Sequence, residues 1–173
     1  MEIDRETIIA SLLHDVLEDT QVTTEELRDK FGQGVVTLVD GVTKLGKLPF
    51  KTFEDYQAEN LRKMFVVMAK DIRVVLIKLA DRLHNMRTMQ FLKPEKRARI
   101  SQETLDIYAP IAHRLGMGKL RGELEDLSFQ NLYPDEYKKL ASEVDARRPV
   151  LGAILDRLRS AITGSIKKNS VHL

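Results

Sequence analysis

Apolar residues recur at helical spacing along almost the whole chain, and glycine and proline mark the breaks between the apolar runs. We find no convincing segment that alternates apolar and polar residues as a half-buried strand does. The pattern therefore predicts an all-α domain, in which each helix buries one apolar face against its neighbours. The 173 residues, 43% of them hydrophobic, are enough for a sizeable core.

Capping residues and helix breakers divide the chain into eight predicted helices. The predicted ranges are 4–19, 25–30, 34–44, 53–70, 72–91, 94–115 with a kink at Pro110, 118–131, and a last helix that starts at Pro134, with a loop over 45–53. The apolar positions of the last helix are more widely spaced than a core helix needs. We therefore predict one helical domain over residues 1–133 and a helical linker over residues 134–173.

Composition excludes several classes of function. The 28 lysines and arginines nearly balance the 26 aspartates and glutamates, and no basic run of five or six residues occurs, so nucleic acid is not an expected partner. The absence of cysteine excludes disulfides and thiolate metal sites. No apolar segment reaches the roughly 18 residues that span a bilayer, and the N-terminus has no secretory signal. The expected location is the cytoplasm, without a membrane partner.

Four ionisable residues are close together in the first predicted helix, in the stretch Leu12–Thr20. His14 and Asp15 are adjacent and would diverge by about 100° on a helix, yet both can reach a cation that lies between helices. Glu18 and Asp19 follow one turn later and can border the same cavity. Three close carboxylates repel one another unless a positive group lies among them. The stretch indicates a catalytic helix, and the alternative is a solvated helix with an acidic patch.

A second stretch, Val74–Thr88, begins as an apolar run and ends in polar residues. Asp81, Asn85 and Thr88 recur at i, i+4 and i+7 and therefore share one helix face. An unpaired buried carboxylate costs several kcal/mol, whereas a bound divalent ion stabilises it, so an aspartate in such a run needs a partner. Another stripe of the same helix is predicted to face the core and consists of Leu76, Leu79, Ala80 and Leu83.

Together the two stretches resemble the HD-domain phosphohydrolases, and more closely the hydrolase half of the RelA/SpoT homologue family, whose enzymes metabolise guanosine tetraphosphate (ppGpp). The run that starts at His14 resembles that family's HDxxED motif, and LADRLHNMRT over 79–88 resembles its second hydrolase motif nearly residue for residue. YAPIAHRLG over 108–116, with ELEDL over 123–127, resembles the segment that leads from hydrolase to synthetase. The resemblance covers residues 7–137 and implies an HD-type helical bundle.

One histidine nitrogen and two aspartate oxygens form a mixed donor set that suits Mn²⁺, Fe²⁺ or Zn²⁺, and the lack of sulfur favours a harder ion. We predict His14, Asp15 and Asp81 as the ligands. A bound ion would polarise a phosphoryl oxygen and lower the pKa of a water, and Glu18 and Asp19 would orient and deprotonate that water. The resemblance implies Mn²⁺ as the metal and this role for the Glu-Asp pair.

The resemblance implies removal of the 3′-pyrophosphate from ppGpp or pppGpp, which gives GDP and pyrophosphate from ppGpp. Asn85 and Thr88 are predicted to contact the ribose and phosphate of the nucleotide. Lys44 could be a counter-charge for phosphate, and a solvated lysine after a helix C-cap is an equally good interpretation. Two other classes stay open: another HD hydrolase that acts on deoxynucleotides or cyclic nucleotides, and a non-catalytic helical module that binds a nucleotide or a partner.

Members of the resembled family supply a further metal-binding histidine and basic nucleotide contacts from a segment before the HDxxED helix. The thirteen residues before His14 contain no histidine, so we expect an N-terminally truncated hydrolase domain with impaired activity. The family's synthetase sequence is not present, and synthetase activity is not expected. Part of the first helix would then be exposed, and we expect marginal stability or self-association through this face, which includes some of Ile8, Ile9, Leu12 and Leu13.

Overall fold

The computed structural model describes residues 3–46 and 70–168. These residues contain helices and no strand, which confirms the predicted all-α class. The chain divides into two compact units, residues 1–132 and 133–173. The predicted loop lies outside the described residues from position 47 onward, and the predicted helix over 53–70 lies outside them except for its last residue.

Eight α-helices belong to the described part of the first unit, and one long helix belongs to the second. The helices are α1 (Arg5–Leu12), α2 (Val16–Asp19), α3 (Thr24–Phe31), α4 (Gln33–Gly46), α5 (Ile72–Arg87), α6 (Pro94–Glu103), α7 (Ala109–Arg114), α8 (Gly118–Leu132) and α9 (Pro134–Lys168). A 3₁₀ turn over Met89–Phe91 follows α5, and a π-helical turn over Thr104–Tyr108 joins α6 to α7. Across the described ranges, no helix is both long enough and apolar enough to cross a membrane.

Local capping sets the ends of α3, which runs one residue further at each end than the predicted range 25–30. The Thr23 side chain accepts a hydrogen bond from the Glu26 backbone N–H, and the Glu26 carboxylate accepts one from the Thr23 backbone N–H. This reciprocal box satisfies N–H groups that the first turn of a helix leaves free. Gly32 follows with a φ of 87°, a left-handed conformation that glycine adopts without strain, so α3 ends there and α4 begins at Gln33.

The prediction of one helix over residues 4–19 is wrong, because residues 13–15 form a turn between α1 and α2. In a continuous helix the Ser11 carbonyl would accept the backbone N–H of Asp15. Instead it lies 2.8 Å from His14 Nδ1, and this side-chain bond replaces the helical one. The Asp15 carbonyl then accepts the backbone N–H groups of Glu18 and Asp19, both at 2.9 Å, and starts α2. The helical spacing between His14 and Glu18 assumed from sequence therefore does not hold.

The buried residues form two apolar clusters, and α5 contributes to both. The first cluster joins α1, α3, α4 and α5, and consists of Ala10, Leu27, Val35, Val36, Leu38, Val39, Val42, Val74 and Ile77. The second joins α5 to the helices that follow it, and consists of Val75, Leu79, Met86, Met89, Ile107, Tyr108, Ala109, Ile111, Ala112 and Leu124. Because α5 is packed on two sides, the position of its polar residues is fixed by both clusters.

The predicted core-facing stripe of α5 is only partly correct, and the expected exposure on α1 is found at two of its four named positions. On α5, Leu79 is fully buried and Leu76 and Leu83 are half-buried, but Ala80 is exposed because it follows Leu79 by one residue and points about 100° away. On α1, Ile9 and Leu13 pack against the first cluster, while the side chains that remain exposed are Ile8 and Leu12.

The helical segment from Pro94 to Arg114 is distorted just before Pro110. The backbone N–H of Ala109 bonds to the carbonyl of Thr104, five residues earlier, so the helix widens by one residue over Thr104–Tyr108. Pro110 has no backbone N–H to continue a normal helical ladder, and a widened turn accommodates it. The predicted disturbance at Pro110 thus takes the form of a π turn, which places Tyr108 against α5.

Candidate metal centre

Three side chains from two separate parts of the chain converge at the turn between α1 and α2. His14 and Asp15 lie in this turn, and Asp81 lies in the middle of α5. His14 Nε2 is 2.9 Å from Asp15 Oδ2 and 3.4 Å from Asp81 Oδ1. Each residue offers one ligand atom, and the three atoms lie within 4.8 Å of one another. The break between α1 and α2 makes this convergence possible, because the side chains of His14 and Asp15 no longer have to point about 100° apart as neighbours in a helix do.

The hydrogen bond at Nδ1 fixes which nitrogen of His14 is available. Because Nδ1 faces the Ser11 carbonyl, which is only an acceptor, Nδ1 carries the proton in the neutral ring. Nε2 then presents a lone pair to the two carboxylates, and it is buried without a hydrogen-bond partner among the described residues. A lone pair does not face carboxylate oxygens stably by itself, so a proton on Nε2 or a cation must lie between them. The donor set fits a divalent metal ion.

Asp81 is held by two neighbours on its own helix. Asn85 Nδ2 donates to Asp81 Oδ1 at 2.8 Å, and Lys78 Nζ lies 3.0 Å from Asp81 Oδ2. Burial lowers the pKa of Lys78, but the Asp81 carboxylate, with smaller effects of Tyr108 and Asp15, outweighs it, so the pKa lies above its usual value. Lys78 is therefore a cation. Sequence reasoning missed it, although its position three residues before Asp81 on one helix face was a usable signal.

Arg82 connects α5 to α6 and to the π turn. Its guanidinium lies 4.0 Å from the centre of the Tyr108 ring, and its Nη2 is 3.0 Å from Glu103 Oε1. Burial lowers the pKa of Arg82, but Tyr108 and Glu103 outweigh this effect, so the pKa is raised above its usual value. These contacts hold α5 against α6 and the π turn, one residue after Asp81. The sequence contained the three residues but no signal that they meet.

The remaining predicted residues lie outside the three-ligand group. Glu18 and Asp19 are exposed on α2, and among the described residues neither carboxylate belongs to the group. The Thr88 hydroxyl donates to the carbonyl of His84 at 3.0 Å, at the end of α5. Lys44 Nζ lies 2.6 Å from Asp40 Oδ2 on α4, and its side chain is exposed. Of the predicted substrate contacts, Asn85 is the one whose side chain bonds to a predicted ligand, Asp81.

Comparison with known proteins places the chain among HD domains. The family model described as HD domain matches residues 1–118. The chain is 49% identical over 171 residues to the guanosine-3′,5′-bis(diphosphate) 3′-pyrophosphohydrolase of Haemophilus influenzae. The aligned residues make up 99% of this chain and 25% of the relative. It is 48% identical over 171 residues to the bifunctional (p)ppGpp synthase/hydrolase SpoT of Escherichia coli K12, and the aligned residues make up 99% of this chain and 24% of the relative.

A third relative carries a different name. The GTP pyrophosphokinase of Myxococcus xanthus is 52% identical over 151 residues, which is 86% of this chain and 20% of the relative. The chain thus spans about a quarter or less of the length of these relatives.

Proposed function

The chain belongs to the HD domain family, and from this premise we propose that it hydrolyses guanosine 3′,5′-bis(diphosphate), or its pentaphosphate form, with the help of one divalent metal ion. The observation that carries the proposal is that Asp15 and Asp81 lie beside the buried Nε2 of His14, which has no hydrogen-bond partner in the described part of the chain. The names of the two hydrolase relatives supply the substrate. Residues 1–133 are proposed to be the hydrolase domain, and residues 134–173 a linker helix.

We propose His14 Nε2, Asp15 and Asp81 as the metal ligands and Mn²⁺ as the metal. Two carboxylate oxygens, one imidazole nitrogen and no sulfur form a set that suits a hard to borderline ion. When bound, such an ion polarises a phosphoryl oxygen and lowers the pKa of a coordinated water. The Ser11 carbonyl keeps His14 in the tautomer that offers Nε2, and Asn85 orients Asp81, so the protein sets the ligand positions before the ion arrives.

Glu18 and Asp19 are proposed to orient the attacking water and to accept its proton. Their backbone N–H groups bond to the Asp15 carbonyl, so α2 has a fixed position relative to a proposed ligand, and both carboxylates are open to solvent. The water oxygen forms a bond to the phosphorus attached to the ribose 3′ oxygen, and the bond between that phosphorus and the 3′ oxygen breaks. The 3′ oxygen takes up a proton, and ppGpp gives GDP and pyrophosphate. Asn85, Thr88 and Lys44 remain our proposed contacts to the nucleotide.

A second candidate is a domain that binds the nucleotide without hydrolysing it. The Myxococcus relative, named as a pyrophosphokinase, favours it, because a similar sequence occurs in a protein named for the opposite reaction. Among the described residues, Glu18 and Asp19 are not members of the group formed by His14, Asp15 and Asp81, and this favours the second candidate as well. Both candidates use the same residues for binding and differ in turnover.

The test is to incubate the purified chain with ppGpp and Mn²⁺ and to separate the products by anion-exchange chromatography. We expect equal amounts of GDP and pyrophosphate, and no product when a chelator removes the metal. Asp81→Asn should abolish most product formation, while Asp126→Asn, a change of an exposed carboxylate on α8, should leave it unchanged. Calorimetric binding of ppGpp without turnover would favour the second candidate. Cleavage of deoxynucleotides or cyclic nucleotides with ppGpp untouched would refute the proposed substrate.

A further inference from the structure

We propose that Lys78 is a positioning residue that limits Asp81 to one metal-binding oxygen and keeps the affinity of the site for a divalent cation low. This inference rests on the proposed metal centre, and it does not depend on which phosphate ester the protein cleaves. Lys78 belongs neither to the predicted ligands nor to the predicted substrate contacts.

The first support is how the oxygen atoms of Asp81 are used. An ionised carboxylate has about four lone-pair directions on its two oxygens. Lys78 Nζ occupies Oδ2 at 3.0 Å, and Asn85 Nδ2 occupies one direction of Oδ1 at 2.8 Å. The remaining direction of Oδ1 is the one available toward His14 Nε2, 3.4 Å away. Asp81 therefore presents Oδ1 toward His14, and a metal bound through both oxygens would have to share Oδ2 with the Lys78 ammonium.

The second support is burial. The side chain of Lys78 is 16% exposed and that of Asp81 is 10% exposed. Charges with so little contact with water interact more strongly than charges on a surface, because the surroundings screen them less. A divalent cation at the three-ligand group would have the Lys78 ammonium behind one of its ligands, and the two positive charges would repel each other. Removal of the lysine charge should therefore strengthen metal binding.

This sign separates the proposal from a purely structural role. If Lys78 only stabilised the fold, its removal would leave Asp81 buried without a counter-charge, and the metal site would loosen with the fold. If Lys78 sets the charge and geometry of Asp81, its removal frees Oδ2 and removes a repulsion. The unbound protein should then be less stable, and the metal should bind more tightly.

The experiment compares two neutral variants, Lys78→Met and Lys78→Gln, with a charge-retaining variant, Lys78→Arg. Methionine keeps the apolar stem, and glutamine keeps a hydrogen-bond donor without the charge. Lys96→Met removes an exposed lysine on α6 and serves as the matched control. Calorimetric titration with Mn²⁺ measures affinity, and thermal melting with chelator and with Mn²⁺ measures stability in each state.

We expect the neutral variants to bind Mn²⁺ at least about tenfold more tightly, equivalent to about 1.4 kcal/mol. They should melt at a lower temperature than wild type in chelator and gain more from added Mn²⁺. Lys78→Arg and Lys96→Met should keep the wild-type affinity. Equal or weaker Mn²⁺ binding in whichever neutral variants fold would overturn the role of Lys78.

A parallel titration of Asp81→Asn distinguishes failure of this inference from failure of the metal centre. If Asp81→Asn weakens Mn²⁺ binding and the neutral Lys78 variants do not strengthen it, only the role of Lys78 is wrong. If Asp81→Asn leaves Mn²⁺ affinity unchanged, the proposed metal centre is wrong, and the inference about Lys78 is overturned with it.

Discussion

Replacement of Arg82 by methionine tests whether the contacts between α5 and the π turn stabilise the first unit. The Arg82 guanidinium bonds to Glu103 at 3.0 Å and lies 4.0 Å from the Tyr108 ring centre, and its side chain is only 11% exposed. A hydrogen bond between charged groups contributes about 1.5–3 kcal/mol, and a desolvated cation–π contact contributes about 1–2 kcal/mol. Methionine keeps the apolar stem and removes both contacts.

The net loss should be smaller than the sum of these contributions. Glu103 keeps 25% exposure of its side chain, so water can partly solvate the carboxylate that loses its partner. We therefore expect Arg82→Met to lower the free energy of unfolding by about 2–4 kcal/mol, less than the loss of a fully buried partner can reach. With a urea dependence of about 2 kcal/mol per molar, the unfolding midpoint should fall by about 1–2 M.

The assay is urea unfolding followed by circular dichroism, with Arg87→Met as the matched control. Arg87 lies on the same helix and bonds to Glu123 at 2.6 and 2.9 Å, so its hydrogen bonds are at least as short as that of Arg82. This pair is on the surface, where water screens the charges and ordering the side chains offsets the gain. Its midpoint should stay near that of wild type. Equal midpoints for the two variants would refute the argument that burial determines the contribution of the pair.

Three further predictions concern the metal, the surface and the response to acid. Asp81→Asn should lower Mn²⁺ affinity by about 10- to 100-fold. Glu18→Gln should keep the metal bound and lose most turnover, because it removes the proposed base and preserves the size of the side chain. Calorimetry and turnover assays check both variants, and equal Mn²⁺ affinity in wild type and Asp81→Asn would remove Asp81 from the proposed ligands. Leu12 is 80% exposed on α1, so we propose that the chain associates with itself through this face. Leu12→Ser should then lower the apparent mass that light scattering measures at high protein concentration. An unchanged mass would contradict this proposal. Hydrogen bonds from Arg73 lower the pKa of Asp71 in the folded state, so this pair stabilises the fold above the unfolded pKa of about 4, and the contribution is lost as pH falls through the lower folded pKa. Arg73→Met should therefore make the free energy of unfolding less steeply dependent on pH below about pH 4. Identical slopes for wild type and variant would argue against the pair.

The sequence by itself determined the features that depend on near neighbours. Thr23 or Thr24 as a cap predicts the start of α3, and the turn at Gly32 predicts its end, because caps act within one turn of the backbone. The same locality placed Asp81 and Asn85 on one face of α5, four residues apart, where they form a hydrogen bond. The all-α class followed from such local signals repeated along the chain.

Only the tertiary structure decided how the proposed metal ligands come together. Local helical propensity favours continuing α1 through His14, and nothing within that stretch indicates a turn. The helix breaks because the His14 ring takes the Ser11 carbonyl on one side and reaches the Asp81 carboxylate of α5 on the other. The partners of Lys78 and Arg82 are likewise fixed by packing, since the position of α5 between two apolar clusters sets which groups it buries together. A sequence pattern predicts which face of a helix a residue occupies. Contacts between distant segments depend instead on how all the helices of the unit pack together, and no single segment carries that information.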